Sequence, residues 1–70
     1  MANHVYAISE LVGSSPDGVE AAVQNALQSA QQTLRNLDWF EVTEIRGHLS
    51  EGGDVADWQV GLKLGFRVEH

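Results

Sequence analysis

Residues 56–69 alternate without a break: Ala56, Trp58, Val60, Leu62, Leu64, Phe66 and Val68 are apolar, while Asp57, Gln59, Gly61, Lys63, Gly65, Arg67 and Glu69 are polar or glycine. A period of two belongs to a β-strand with one face buried and is incompatible with an amphipathic helix. Just ahead lies Glu51-Gly52-Gly53-Asp54, whose paired glycines permit the positive φ of a tight turn. Ahead of the turn, Trp39–Ser50 is rich in aromatic and β-branched residues. The two arms make a hairpin whose strands are more than twice the usual five or six residues.

The rest of the chain supplies one strand and one helix. Val5–Gly13 mixes Val5, Tyr6, Ile8 and Val12 with polar residues and stops at a glycine, a strand pattern. Ser15-Pro16-Asp17 then reads as a helix start, with Ser15 as N-cap, Pro16 at the first helical position and Asp17 at the positive end of the dipole. Val19, Ala22, Val23, Ala26, Leu27, Ala30, Leu34 and Leu37 follow in steps of three, four and seven, one continuous helical stripe ending at Asn36-Leu37-Asp38. The opposite face carries Gln24, Gln28, Gln31 and Gln32 and faces water, another subunit or a polar cavity. The expected fold is α+β, a β-α-β-β subunit over residues 1–70 as a single domain, with a three-stranded antiparallel sheet wrapped on one helix.

That fold leaves a surface uncovered. One helix covers one face of the hairpin, and Gly61 and Gly65 leave the other face bare of side chains. Glycine inside a strand marks the close approach of another backbone or of a ligand. Seventy residues also bury only about 60% of their unfolded surface, so such a chain needs extra support. It has no cysteine, which removes disulfides and thiolate metal sites together, and His4, His48 and His70 lack the spacing of a zinc motif. Oligomerisation is the remaining expectation.

Charge narrows the partners. A formal net charge of −6, with only Arg35, Arg46, Lys63 and Arg67 as cations, argues against nucleic acid and anionic membranes. No apolar run approaches the roughly 18 residues of a membrane span, and residues 1–6 have no signal-peptide character, so a cytoplasmic protein is expected.

Chemistry-bearing residues concentrate on the hairpin. A turn centred on Gly52-Gly53 sets Arg46 opposite Gln59 and His48 opposite Asp57. Trp39 has the wrong parity for that face. The alternation slips between Phe40/Val42 and Ile45/Leu49, however, and a bulge near residues 41–44 would bring Trp39 round. Trp58 falls in the apolar alternation and is assigned to the core. A strand-leading Trp39 suits a core or interface anchor as well as a ligand platform. The Gln59 carboxamide can pair with an imide edge through two parallel hydrogen bonds, or bond across strands or subunits. His48 with Asp57 makes either an acid–base pair or a surface contact, and no nucleophile or oxyanion loop accompanies it. Gly13-Ser14-Ser15-Pro16-Asp17-Gly18 has glycine spacing like a phosphate loop, but without the following Lys it reads as a helix cap.

Several blocks, in this order and at this spacing, resemble the dodecin family: Leu11-Val12-Gly13-Ser14-Ser15-Pro16-Asp17-Gly18, Thr33-Leu34-Arg35-Asn36-Leu37-Asp38-Trp39-Phe40-Glu41-Val42, Ile45-Arg46-Gly47, Gln59-Val60 and Gly65-Phe66-Arg67. The resemblance implies a hollow homododecamer that stores flavins in pairs at subunit interfaces, quenches their excited state and is not an enzyme. It implies that Trp39 stacks on the isoalloxazine, Gln59 hydrogen-bonds the pyrimidine edge and Arg46 lies near the ligand and its phosphate. Arg67 matches an arginine used for phosphate or coenzyme A. FMN or riboflavin is the implied ligand, with FAD, lumichrome and coenzyme A as further candidates. Where members that bind coenzyme A carry basic residues near the first strand, this chain has Asn3 and Ala7. Asp57 adds negative charge beside the expected site, which disfavours a phosphorylated flavin relative to riboflavin or lumichrome. A purely structural homo-oligomer and a small acid–base enzyme using His48 and Asp57 remain the alternatives.

Overall fold

The computed structural model describes residues 3–68, so the expected strand position of Glu69 lies outside the described residues. Four elements follow one another: β1 (Val5–Ser15), α1 (Val19–Gln31), β2 (Leu37–Leu49) and β3 (Val55–Val68). The strands form one antiparallel sheet in the order β1-β3-β2. The α+β class and the β-α-β-β order are those read from the sequence. The alternating segment, β3, is the central strand, paired with β1 from Val5↔Val68 to Ser15↔Trp58 and with β2 from Leu37↔Phe66 to Leu49↔Val55. The connection through α1 therefore skips a sheet position, leaving β1 and β2 mutually parallel with β3 between them, a split β-α-β arrangement.

The helix packs on β1 and β3. Its small residues Ala22, Ala26 and Ala30, with Val23, meet Val60, Leu62 and Leu64 of β3 to form the buried core, edged by Leu11, Val19, Leu27, Leu34 and Leu37. The approach is closest at Gly13, where a Cβ would collide with the Ala22 carbonyl oxygen and sit 2.8 Å from Ala26 Cβ. Among the described residues, no helix is long and apolar enough to cross a membrane.

Three expectations are corrected. First, the helix begins later: Gly18 is its cap and no side chain caps it. Residues 13–15 continue β1, and the Ser15 hydroxyl accepts the Asp17 N–H at 3.0 Å, closing the turn ahead of the helix. Secondly, the helix ends at Gln31. The Thr33 and Leu34 amides both bond back to the Ala30 carbonyl, and Asn36 at φ 62 reverses the chain into β2, so Leu34 and Leu37 edge the core from outside the helix. Thirdly, Trp58 is half-buried and stands outside the core cluster, because it pairs with Ser15 and Gly47 beyond the helix's cover.

The helix lies over β1 and β3 and leaves β2 uncovered. Phe40, Val42, Ile45 and Leu49 stand on the helix side of the sheet yet are exposed. The molecule measures 56 × 20 × 14 Å with a radius of gyration of 14.7 Å, whereas a compact chain of this length has about 11 Å. An apolar strand face of this kind belongs against another body.

Candidate functional site

The site is built on the sheet face turned away from the helix. Strand pairing assigns it: residues directly opposite share a face, so Glu10, Lys63 and Glu41 lie in one row, and Ile8, Gly65 and Trp39 in another. Arg46 faces Gln59 and His48 faces Asp57, as the turn length requires. Trp39 reaches this face because the β2 register shifts between Val42 and Glu44, where Thr43 is the extra residue.

A second shift, between Leu37 and Trp39, makes Asp38 an unpaired residue too. Trp39 lies on Gly65, its Cε2, Cζ2 and Cδ2 atoms filling the space that a Cβ would take. An indole set on a glycine keeps one face on the sheet and the other for a partner; Trp39 is 40% exposed. Beside it stands Tyr6, with ring centroids 6.4 Å apart and planes tilted by 48°. The Tyr6 hydroxyl donates to Asp38 Oδ2 at 2.9 Å. That hydrogen bond raises the Tyr6 pKa above its ordinary value of 10.0, desolvation and the Asp38 charge adding to the effect and Arg67 opposing it.

At the turn end of the same face, Arg46 Nη1 donates to Gln59 Oε1 at 3.4 Å while its Nη2 pairs with Glu44 Oε1 at 3.0 Å. A guanidinium has no acceptor, so it fixes the Gln59 amide with Oε1 towards Arg46 and turns the Nε2 donor elsewhere. His48 Nδ1 lies 3.4 Å from Asp57 Oδ1, and the imidazole is 65% exposed. Arg67 is exposed at the far end of β3, where with Leu34, Arg35 and Phe66 it borders an open cavity of about 320 Å³.

The four candidate residues therefore share a face but form two groups. Arg46 joins Gln59, and Trp39 neighbours Arg67. Gln59 and Gly65, the residue under the indole, are six strand steps apart, a span of about 20 Å at 3.4 Å per residue. A single planar ligand cannot touch Trp39 and Gln59 of one chain. Tyr6, Asp38 and Glu44 escaped the sequence reading. Glu44 was visible as the residue two before Arg46, on one strand face with it, whereas Tyr6 and Asp38 meet only through the sheet order.

This arrangement has known counterparts. The Dodecin family model matches residues 5–69. The chain belongs to the dodecin family. A dodecin of Thermus thermophilus is 58% identical over 65 residues, 93% of each chain. Among solved structures, a dodecin from Streptomyces coelicolor superimposes with a TM-score of 0.92 at 63% identity, covering 100% of this chain and 99% of that one. A dodecin from Streptomyces davaonensis gives 0.92 at 51% identity, covering 99% and 100%. The dodecin subunit fold is thus shared along the whole chain, and in this chain Gly61 and Gly65 are covered by its own Thr43, Glu44 and Trp39 side chains rather than left bare.

Proposed function

We propose that this protein stores flavin: copies of the chain assemble as a homododecamer and hold flavins, stacked in pairs, where subunits meet, without catalysing a reaction on them. One observation carries the reading. Trp39 and Gln59 occupy the same sheet face about 20 Å apart, so an aromatic platform and an amide clamp converge on one ring only when a second copy contributes one of them. Membership in the dodecin family supports the same conclusion, as does the apolar face of β2, which awaits a neighbour.

The roles follow from the chemistry. The open face of Trp39 takes the isoalloxazine by stacking. Gln59 donates from Nε2 to a ring carbonyl and still accepts an imide N–H on Oε1, which has two lone pairs. Arg46 orients that amide and offers positive charge to a ribityl phosphate. Arg67, beside its cavity, is the residue for a more distant phosphate, including that of coenzyme A. Bound flavin supplies the chromophore, and the stacked indole quenches it. FMN or riboflavin is the ligand, FAD and lumichrome being related alternatives, and the protein works in the cytoplasm.

Titration of riboflavin and FMN with the purified protein tests the reading: flavin fluorescence falls to a stoichiometric endpoint. Trp39→Ala removes most of the quenching while light scattering still reports the full particle. Unchanged quenching rejects the stacking role. Loss of the particle, with no flavin taken up by the unsubstituted protein, favours instead a purely structural oligomer glued by Trp39. An acid–base role for His48 and Asp57 has only their 3.4 Å contact behind it.

A further inference from the structure

We infer that Tyr6 is the positioning residue for the Trp39 platform, holding the indole flat on Gly65 from the opposite edge of the sheet through its ring and its bond to Asp38. The inference rests on the flavin reading for what the platform carries, but not for the positioning itself.

Trp39 needs such a device. The backbone beneath it is irregular, because Asn36 has reversed the chain at φ 62 and the register slips between Leu37 and Trp39. The floor under the ring is Gly65, which has no side chain to lock a rotamer by packing. An aromatic on a bare backbone floor, 40% exposed, has room to swing about its side-chain torsions.

The irregularity also supplies the remedy. Asp38 is the extra residue of the slip, and a bulge re-aims the side chains around it. Asp38 and Trp39, consecutive in sequence, both come within reach of Tyr6, although in a regular strand neighbours point to opposite faces. Tyr6 sits on β1, opposite Arg67, with β3 between it and β2. It thus spans the central strand to meet both: its hydroxyl donates to Asp38 Oδ2 at 2.9 Å and its ring stands 6.4 Å from the indole. A hydrogen bond to a carboxylate is directional and stronger than one between neutral groups, so it fixes the phenol ring as well as the bulge. The ring then blocks one edge of the indole in a tilted contact of the kind aromatic pairs favour. It is the one aromatic pair among the described residues.

The test reads the platform with and without flavin. In a Trp58→Phe background, Trp39 is the only indole left of the two Trp in the chain. Tyr6→Phe keeps the ring and loses the hydroxyl. It is expected to weaken the near-ultraviolet circular dichroism of the Trp39 indole in the ligand-free protein and to lower riboflavin affinity about two- to tenfold. Asp38→Ala has the same effect, and the Tyr6→Phe/Asp38→Ala double variant is no worse than either single one, the mark of one shared bond. Asp38→Asn restores both readouts, because an amide oxygen still accepts the phenol O–H. Additive effects of the two substitutions, or a Tyr6→Phe protein matching its parent in both measurements, overturn the inference. If the unsubstituted protein takes up no riboflavin, the flavin reading fails separately and the ligand-free dichroism alone decides the positioning.

Discussion

Gly65 offers the sharpest perturbation of the proposed stacking platform, because it changes nothing but the floor. Its φ lies outside the left-handed region, so alanine fits the backbone there. The added Cβ would nevertheless overlap the indole; even Trp39 Cδ2, the farthest of the three nearest atoms, is only 2.6 Å away. Carbon atoms in contact sit about 3.5–4.0 Å apart, so the ring must retreat by about 1 Å or more and tilt off the sheet. Stacking a planar heterocycle on an aromatic side chain is worth about 1–3 kcal/mol. Losing most of it lowers riboflavin affinity by about five- to 150-fold, at about 1.4 kcal/mol per factor of ten. The assay is fluorescence titration of the Gly65→Ala protein beside Trp39→Ala and the double variant, with light scattering on each. Gly65→Ala should approach Trp39→Ala, and the double variant should equal Trp39→Ala alone. Gly47→Ala serves as control, since the nearest atom to its Cβ would be at an ordinary 3.6 Å. A Gly65→Ala protein that binds riboflavin within about twofold of the unsubstituted one refutes the placement of Trp39 as a flat platform.

Further outcomes follow from other contacts. Gly13→Ala sets a Cβ against the Ala22 carbonyl and the Ala26 methyl, which should cost about 1–3 kcal/mol of stability as an overpacked core; an unchanged thermal unfolding midpoint would contradict the helix–sheet approach described. Glu44→Ala releases the Arg46 Nη2 from its 3.0 Å partner and should raise FMN affinity relative to riboflavin by about two- to fivefold, the scale of an exposed ion pair; a fixed ratio would show that Arg46 does not meet the phosphate. Because the Tyr6 pKa is raised in the folded chain, folding favours the protonated phenol. That contribution is complete below pH about 10 and disappears as pH climbs through the raised value. Alkaline unfolding curves of Tyr6→Phe should lack that component, and coincident curves would dismiss it.

How far the sequence carries depends on which interactions are local. The period of two in β3 and the Gly52-Gly53 turn were enough to set Arg46 against Gln59 and His48 against Asp57, because a hairpin register follows from its turn. The slip in the β2 alternation likewise announced the bulge that turns Trp39 to the glycine face. The helix end was not legible: Leu34 and Leu37 continue the spacing of the apolar stripe and still face the core, although the chain has already left the helix. Alternation told which face Trp58 takes but not how deep it sits, since Trp58 pairs with Ser15 at the end of the sheet where the helix begins. The Tyr6–Asp38 bond joins residues 32 apart in sequence and arises only because β3 lies between β1 and β2. Nothing in the local pattern of either residue points to the other.

The blade-like outline of the chain, 56 Å long and only 14 Å thick, bears on the assembly and flavin binding proposed above. So thin a body has little interior of its own, and its folding free energy comes to include the contacts that bind its neighbours. Melting points should climb with protein concentration, and ligand and neighbouring chains should raise one another's affinity. If the chain assembles and holds flavin as proposed, dilution would release the ligand as surely as it parts the copies.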